Sequence, residues 1–381
     1  MLLSALPGLA TLCAAATAPV APRGGSAPPA WPFPYDWSKF PAAWFGGNAT
    51  NFESEEQLEE IGMYSLAILG WQHLITETNW TASVYAQMEQ AAIIKAKFPK
   101  LPVYVYTGFG NADGYNNHTW EVMKGASDGC PGNQPCRITP APYTDWFLQS
   151  SKTPVYSMSA CEQMGMGYSH PPTDRCWNPI WNVGNPDVRD FYIEKVIAPL
   201  AASTDIDGVF FDCFNFAYDL PNPWNRNAVN IANCSHNHGG PGCDALLDGA
   251  VEMAARTAKA LNAAGKVPMF SNPASFINGP NPAPIWLNES KLVAALEGTV
   301  WQLNYEFMRV EGLASSGQLQ NMLEESKLGL AAGVHVYYQH TNKTDPSSPL
   351  EDPTPHIAAF MLMRQEHWYF FGSTGASQPL L

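Results

Sequence analysis

Short apolar runs rich in Val, Ile, Tyr, Phe and Trp alternate along the chain with longer stretches whose apolar residues recur at helical spacing. The runs are Ala42–Gly46, Leu66–Gln72, Val103–Thr107, Gly208–Asp212, Val267–Ser271, Thr299–Glu306, Val334–Gln339 and His367–Phe371. Helices are predicted over Ser54–Gly62, Ser83–Phe98, Val188–Ala202, Ala245–Ala264 and Gly317–Ala332. Continuous apolar strands separated by helices are the signature of repeated βα units and a parallel sheet. Eight such strands in a 381-residue chain predict an α/β fold, a (β/α)8 TIM-type barrel, with a long insertion after the third strand. That insertion runs from Gly108 to Thr204, roughly 100 residues rich in aromatics. Loops that follow strands build the site of such barrels, so it is the candidate substrate wall. The stretch after the last strand is too short for a full eighth helix.

Composition narrows the partner. Hydrophobic residues make up 46% and charged residues 14%, enough apolar material for a large core. With 34 acidic against 20 basic residues the net charge is −14, and no basic cluster occurs, so nucleic acid is not an expected partner. The 13 Trp and 15 Tyr suit a carbohydrate, whose rings stack on aromatic faces, although many of them are expected in the core. No glycine-rich dinucleotide fingerprint, phosphate loop or Gly-x-Ser-x-Gly elbow is present, so no cofactor is expected.

The start of the chain predicts export to the secretory pathway and the outside of the cell. Residues 1–18 are uncharged and rich in Leu and Ala, as in a signal peptide, and their apolar run is too short to span a bilayer. A proline-rich linker follows at 19–34, and the barrel domain is assigned to 35–381. No later stretch reads as a stable membrane insertion. Six sequons, at Asn48, Asn79, Asn117, Asn233, Asn288 and Asn342, are candidate glycosylation sites. Cys130/Cys136, Cys161/Cys176 and Cys234/Cys243 are close pairs in Gly/Pro-rich stretches and are candidate disulfides, one of several connectivities open to the seven cysteines that remain of eight once Cys13 of the signal-like segment is set aside. Cys213, within an apolar run, is expected as a buried thiol. The Cys234-Ser235-His236-Asn237-His238 cluster with Cys243 is better explained by a disulfide than by zinc, and no metal is expected.

The candidate chemistry lies at strand ends. In Asp207-Gly208-Val209-Phe210-Phe211-Asp212 an apolar strand stops at a carboxylate, and alternation puts Gly208, Phe210 and Asp212 on one face. In Val300-Trp301-Gln302-Leu303-Asn304-Tyr305-Glu306, Gln302, Asn304 and Glu306 share a face. A polar row on a covered sheet is costly unless it opens on a wet mouth. Asp212 and Glu306 would then face one cleft, the minimum machinery for glycoside hydrolysis: one protonates the leaving oxygen, the other attacks or activates water. Trp71, Gln72, Tyr106, Asn272, Asn304, His335, Tyr337 and Gln339 are candidate sugar contacts.

The Asp207–Asp212 strand end, Phe270-Ser271-Asn272-Pro273 and Tyr305-Glu306-Phe307 resemble hypothetical glycosyl-hydrolase-like barrels. They are similar to the endo-polygalactosaminidase-type barrels as well, and the resemblance runs roughly from Pro41 to Gly372. It implies a TIM barrel and a carbohydrate substrate, and by position it supports Asp212 and Glu306. The competing expectation is a catalytically inactive sugar-binding barrel, a lectin or cell-wall protein.

Overall fold

The structure is a computed structural model. It describes residues 35–48, 51–70, 73–74, 83–110, 181–212, 241–271, 298–304, 335–341, 354–375 and 378–379, with isolated residues at 112–122, 146–147 and 291–296. At 83, 241–243, 301–304, 335–341, 354–356, 359, 363, 372–375 and 378–379 only the backbone is described. The strands are β1 (Ala43–Gly46), β2 (Leu66–Leu69), β3 (Val103–Gly108), β4 (Gly208–Asp212), β5 (Val267–Ser271), β6 (Val300–Asn304), β7 (His335–Thr341) and β8 (Tyr369–Gly375). They pair in chain order and in parallel. The sheet closes on itself: Ala42 bridges Phe370 in parallel, and the Phe370 N–H donates to the Pro41 carbonyl at 2.9 Å. The fold is therefore a (β/α)8 barrel. Followed once around, the ladders return to β1 eight residues from where they began, the shear of a TIM barrel. A short β9 (Gln378–Pro379) turns back antiparallel on β8.

The helices between the strands are α1 (Glu55–Gly62), α2 (Ser83–Lys97), α3 (Pro186–Phe191), α4 (Ala198–Ala202), α5 (Pro241–Ala263) and α6 (Thr354–Met363). A π-helical turn, Tyr192–Ile197, joins α3 to α4. Sequence dictates the starts. Ser54 and Gln57 form a reciprocal capping box at α1, and Asn185 caps α3 with Pro186 in its first turn. The expected stretch 317–332 lies outside the described residues.

Strand alternation makes two cores. Leu66, Ile68, Tyr104, Phe210, Met269 and Phe371 fill the barrel. Ala67, Leu69, Val103, Val105, Val209 and Phe211 face outward and are covered by the helices. Gly208 has a specific task here. A Cβ on it would meet the Val267 carbonyl and come within 2.6 Å of the Tyr104 ring, which crosses the barrel beside it.

Several boundaries differ from expectation. β2 stops at Leu69, short of Gln72, and Gly70 continues with its N–H on the Gly46 carbonyl. β6 stops at Asn304. His367 lies before β8 in a turn with φ 62°, so the eighth strand begins at Tyr369.

Candidate active site

Asp212 ends β4. Phe210, two residues earlier, belongs to the inner core, so alternation turns Asp212 toward the C-terminal mouth of the barrel. It is only partly buried there. The Tyr106 hydroxyl, on neighbouring β3, donates to Asp212 Oδ2 at 2.7 Å. Tyr106 is itself fixed on several sides. Its ring packs edge-on to Phe45 at 6.5 Å and lies 5.7 Å from Phe210, and these rings floor the mouth. Its backbone N–H donates to the buried Gln87 Oε1 at 2.6 Å. Leu69, the end of β2, pairs with Val105, one residue before Tyr106. Asp212 is anchored through its backbone as well: it pairs with Gly108, and the Phe109 N–H donates to its carbonyl at 2.8 Å.

The other carboxylate of the same motif has a different role. Asp207 sits at the opposite end of β4, where Oδ2 accepts from Lys95 Nζ at 2.8 Å and from the Val103 N–H at 2.8 Å. These bonds tie β3, β4 and α2 together at the floor of the barrel, far from the mouth.

The stagger of the strands sets which positions stand level with Asp212. A shear of eight over eight strands displaces each strand by about one residue along its neighbour. The backbone of Asn304 on β6 then stands about level with Asp212, and Gln339, its partner on β7, about one residue lower. Tyr337 pairs with Gln302 and Tyr369, deeper in the barrel. The backbone of His335 opens β7 opposite Val300, near the level of Asp207. Ser271 closes β5 and is buried. Glu306, Trp71, Gln72 and Asn272 lie outside the described residues.

A second polar cluster, not foreseen from sequence, lies in the loops after β1 and β2. Glu53 Oε1 accepts from the Asn48 N–H at 2.9 Å and stands 4.0 Å from His73 Nδ1, and both side chains are buried. The Glu53 N–H donates to Gln90 Oε1 at 2.7 Å, and the Leu74 N–H, at φ 52°, donates to the Asn48 carbonyl at 2.9 Å. Burial pushes Glu53 above the usual carboxylate range and His73 down to about 4. No local pattern marks these residues, because their burial comes from two loops meeting. Asn48, the first sequon, is half-buried in this cluster. The other sequons lie outside the described residues, as do Cys130, Cys136, Cys161, Cys176, Cys213 and Cys234. Cys243 lies in the first turn of α5 rather than in a loop. Among the described residues no cluster of His, Cys, Asp and Glu could hold a metal ion, and no helix is long and apolar enough to cross a membrane.

Neither a protein-family model nor a curated protein matches the chain. Solved structures do. Ega3 of Aspergillus fumigatus, in complex with galactosamine, is 9% identical with a TM-score of 0.44, over 91% of this chain and 96% of that one. The PgaB (BpsB) glycoside hydrolase domain of Bordetella bronchiseptica is 11% identical with a TM-score of 0.42, over 88% and 94%. Amy13B of Eubacterium rectale is 11% identical with a TM-score of 0.48, over 87% of this chain and 65% of that one.

Proposed function

We propose that this barrel is a glycoside hydrolase acting on an oligo- or polysaccharide, with Asp212 and Glu306 as its carboxylate pair. The observation that carries the reading is the Tyr106–Asp212 hydrogen bond at the C-terminal mouth. Barrel enzymes keep their reacting groups at that mouth, and a donated hydrogen bond favours the ionised form of a carboxylate. Asp212 therefore takes the part of the charged partner. It either attacks the anomeric carbon or removes a proton from the water that does. Glu306 follows Asn304 by two residues in sequence and supplies the proton to the glycosidic oxygen as its bond to the anomeric carbon breaks. Asn304, Gln339, Asn272, Trp71 and Gln72 are the proposed sugar contacts, with Tyr337 deeper in the barrel. Residues 1–18 direct export, and the sequons and paired cysteines belong to that route.

A depolymerisation screen of purified, secreted protein against a polysaccharide panel tests this. Asp212→Asn should fold, still bind the polymer and lose about 10²–10⁴ in rate. Full turnover in both Asp212→Asn and Glu306→Gln sinks the assignment. Binding without any turnover in the wild type makes the protein an inactive sugar-binding barrel. Alkylation of the denatured, unreduced protein should label Cys213 alone; a labelled Cys130 or Cys243 rejects the disulfide pairing.

A further inference from the structure

We propose that Tyr192 is a positioning residue for Asp212, aimed by the π-helical turn in which it sits. The inference rests on the reading of Asp212 given above. The segment from Pro186 to Ala202 is helical throughout, yet from Tyr192 to Ile197 it widens, and the Ala198 N–H donates to the Ile193 carbonyl five residues back. Such turns are rare and concentrate at functional sites. This one is well packed: Tyr192, Val196 and Ile197 are buried, while Glu194 and Lys195 lie toward solvent.

The Tyr192 hydroxyl donates to the Gly108 carbonyl at 2.8 Å, and its ring stands edge-on to Phe109 at 5.7 Å. Those two residues hold the backbone of Asp212, Gly108 as its partner across the β3–β4 ladder and Phe109 through an N–H on its carbonyl. Tyr106, two residues before Gly108, holds the side chain. The last residues of β3 thus form a clamp on Asp212. Two side chains from the helical layer bond the backbone of that strand end: Gln87 accepts from the Tyr106 N–H and Tyr192 donates to the Gly108 carbonyl. Tyr192 lies in the outer layer, 1% exposed, so it touches no substrate and acts only through the clamp.

The test labels the aspartate carboxyl carbons with ¹³C and follows Asp212 by NMR, its resonance identified by its loss in Asp212→Asn. Tyr192→Phe should move the Asp212 titration midpoint upward, in the direction of Tyr106→Phe but less far. On a polymer that the wild type cleaves, it should lower kcat about tenfold with KM unchanged. Deleting Lys195, which returns the turn to α-helical spacing, should shift the midpoint the same way and guards against a Phe variant that fails to fold. A midpoint unchanged from wild type in either folded variant overturns the proposal, whatever the melting temperature does. Should Asp212→Asn keep full turnover while the midpoint still moves, the hydrolase assignment fails and the positioning role stands.

Discussion

Tyr104 and Tyr106 stand one rung apart on the inner face of β3 and meet different fates. Tyr104 is wholly buried, its hydroxyl has no hydrogen-bond partner among the described residues, and burial pushes it well above the usual phenol range. Tyr106 reaches the mouth and donates a hydrogen bond to Asp212. A hydrogen bond to a charged group is worth about 1.5–3 kcal/mol, so its loss shifts a carboxyl by about one pKa unit or more. Tyr106→Phe keeps the ring contacts with Phe45 and Phe210 and removes only the donor. The ionised form of Asp212 then loses support, and the acidic limb of the pH dependence of kcat/KM should move to higher pH. A limb that stays in place means that the hydroxyl does not act on the titrating carboxylate.

At the scale of elements, the barrel is held in register by close approaches that a single methyl disturbs. Gly208→Ala drives a Cβ toward the Val267 carbonyl and the Tyr104 ring, with backbone on one side and a fully buried ring on the other. Overpacking of this kind costs about 1–3 kcal/mol, read as a lower urea midpoint with an unchanged slope. The eight strands were legible because strands buried on both faces are short apolar runs, and the stop at Asp212 was legible as a break in such a run. α6 was not. Its residues Ile357-Ala358-Ala359-Phe360-Met361-Leu362-Met363 are apolar all round and carry no helical period, while Pro353 and Pro355 read as loop. The π-helical turn left no mark either, since six residues cannot separate its spacing from that of an α-helix. The level of His335 was not legible either, since a residue list places it in a strand without saying at which end, and only the pairing with Val300 does so. Glu53 and His73 lie in loops whose meeting no local pattern announces.

Over the whole molecule, buried histidines tie stability to pH. Burial holds both His73 and His367 at about 4 in the folded chain, against about 6.5 when unfolded. Between those values the unfolded chain binds more protons, so their contribution is full above about pH 6.5 and is lost progressively as pH falls toward 4. Glu53, raised by burial, works in the other direction at the acidic end: the folded chain takes up its proton first. The melting temperature should therefore fall between pH 7 and pH 4.5, and His73→Leu should flatten that slope. An equal slope in the variant would remove His73 from the account. The closed sheet has a consequence for the order in which the chain is made. The Arg364 guanidinium bonds the Lys39 carbonyl across a separation of 325 residues, and Phe370 meets Pro41 beside it. A ribosome delivers β1 first, so its outer edge waits open, with nothing to zip against, until nearly the entire chain has been synthesised. Translation time, rather than the speed of any local step, sets how long that edge is exposed to other chains, and a companion that shields it would be needed at β1 above all other strands.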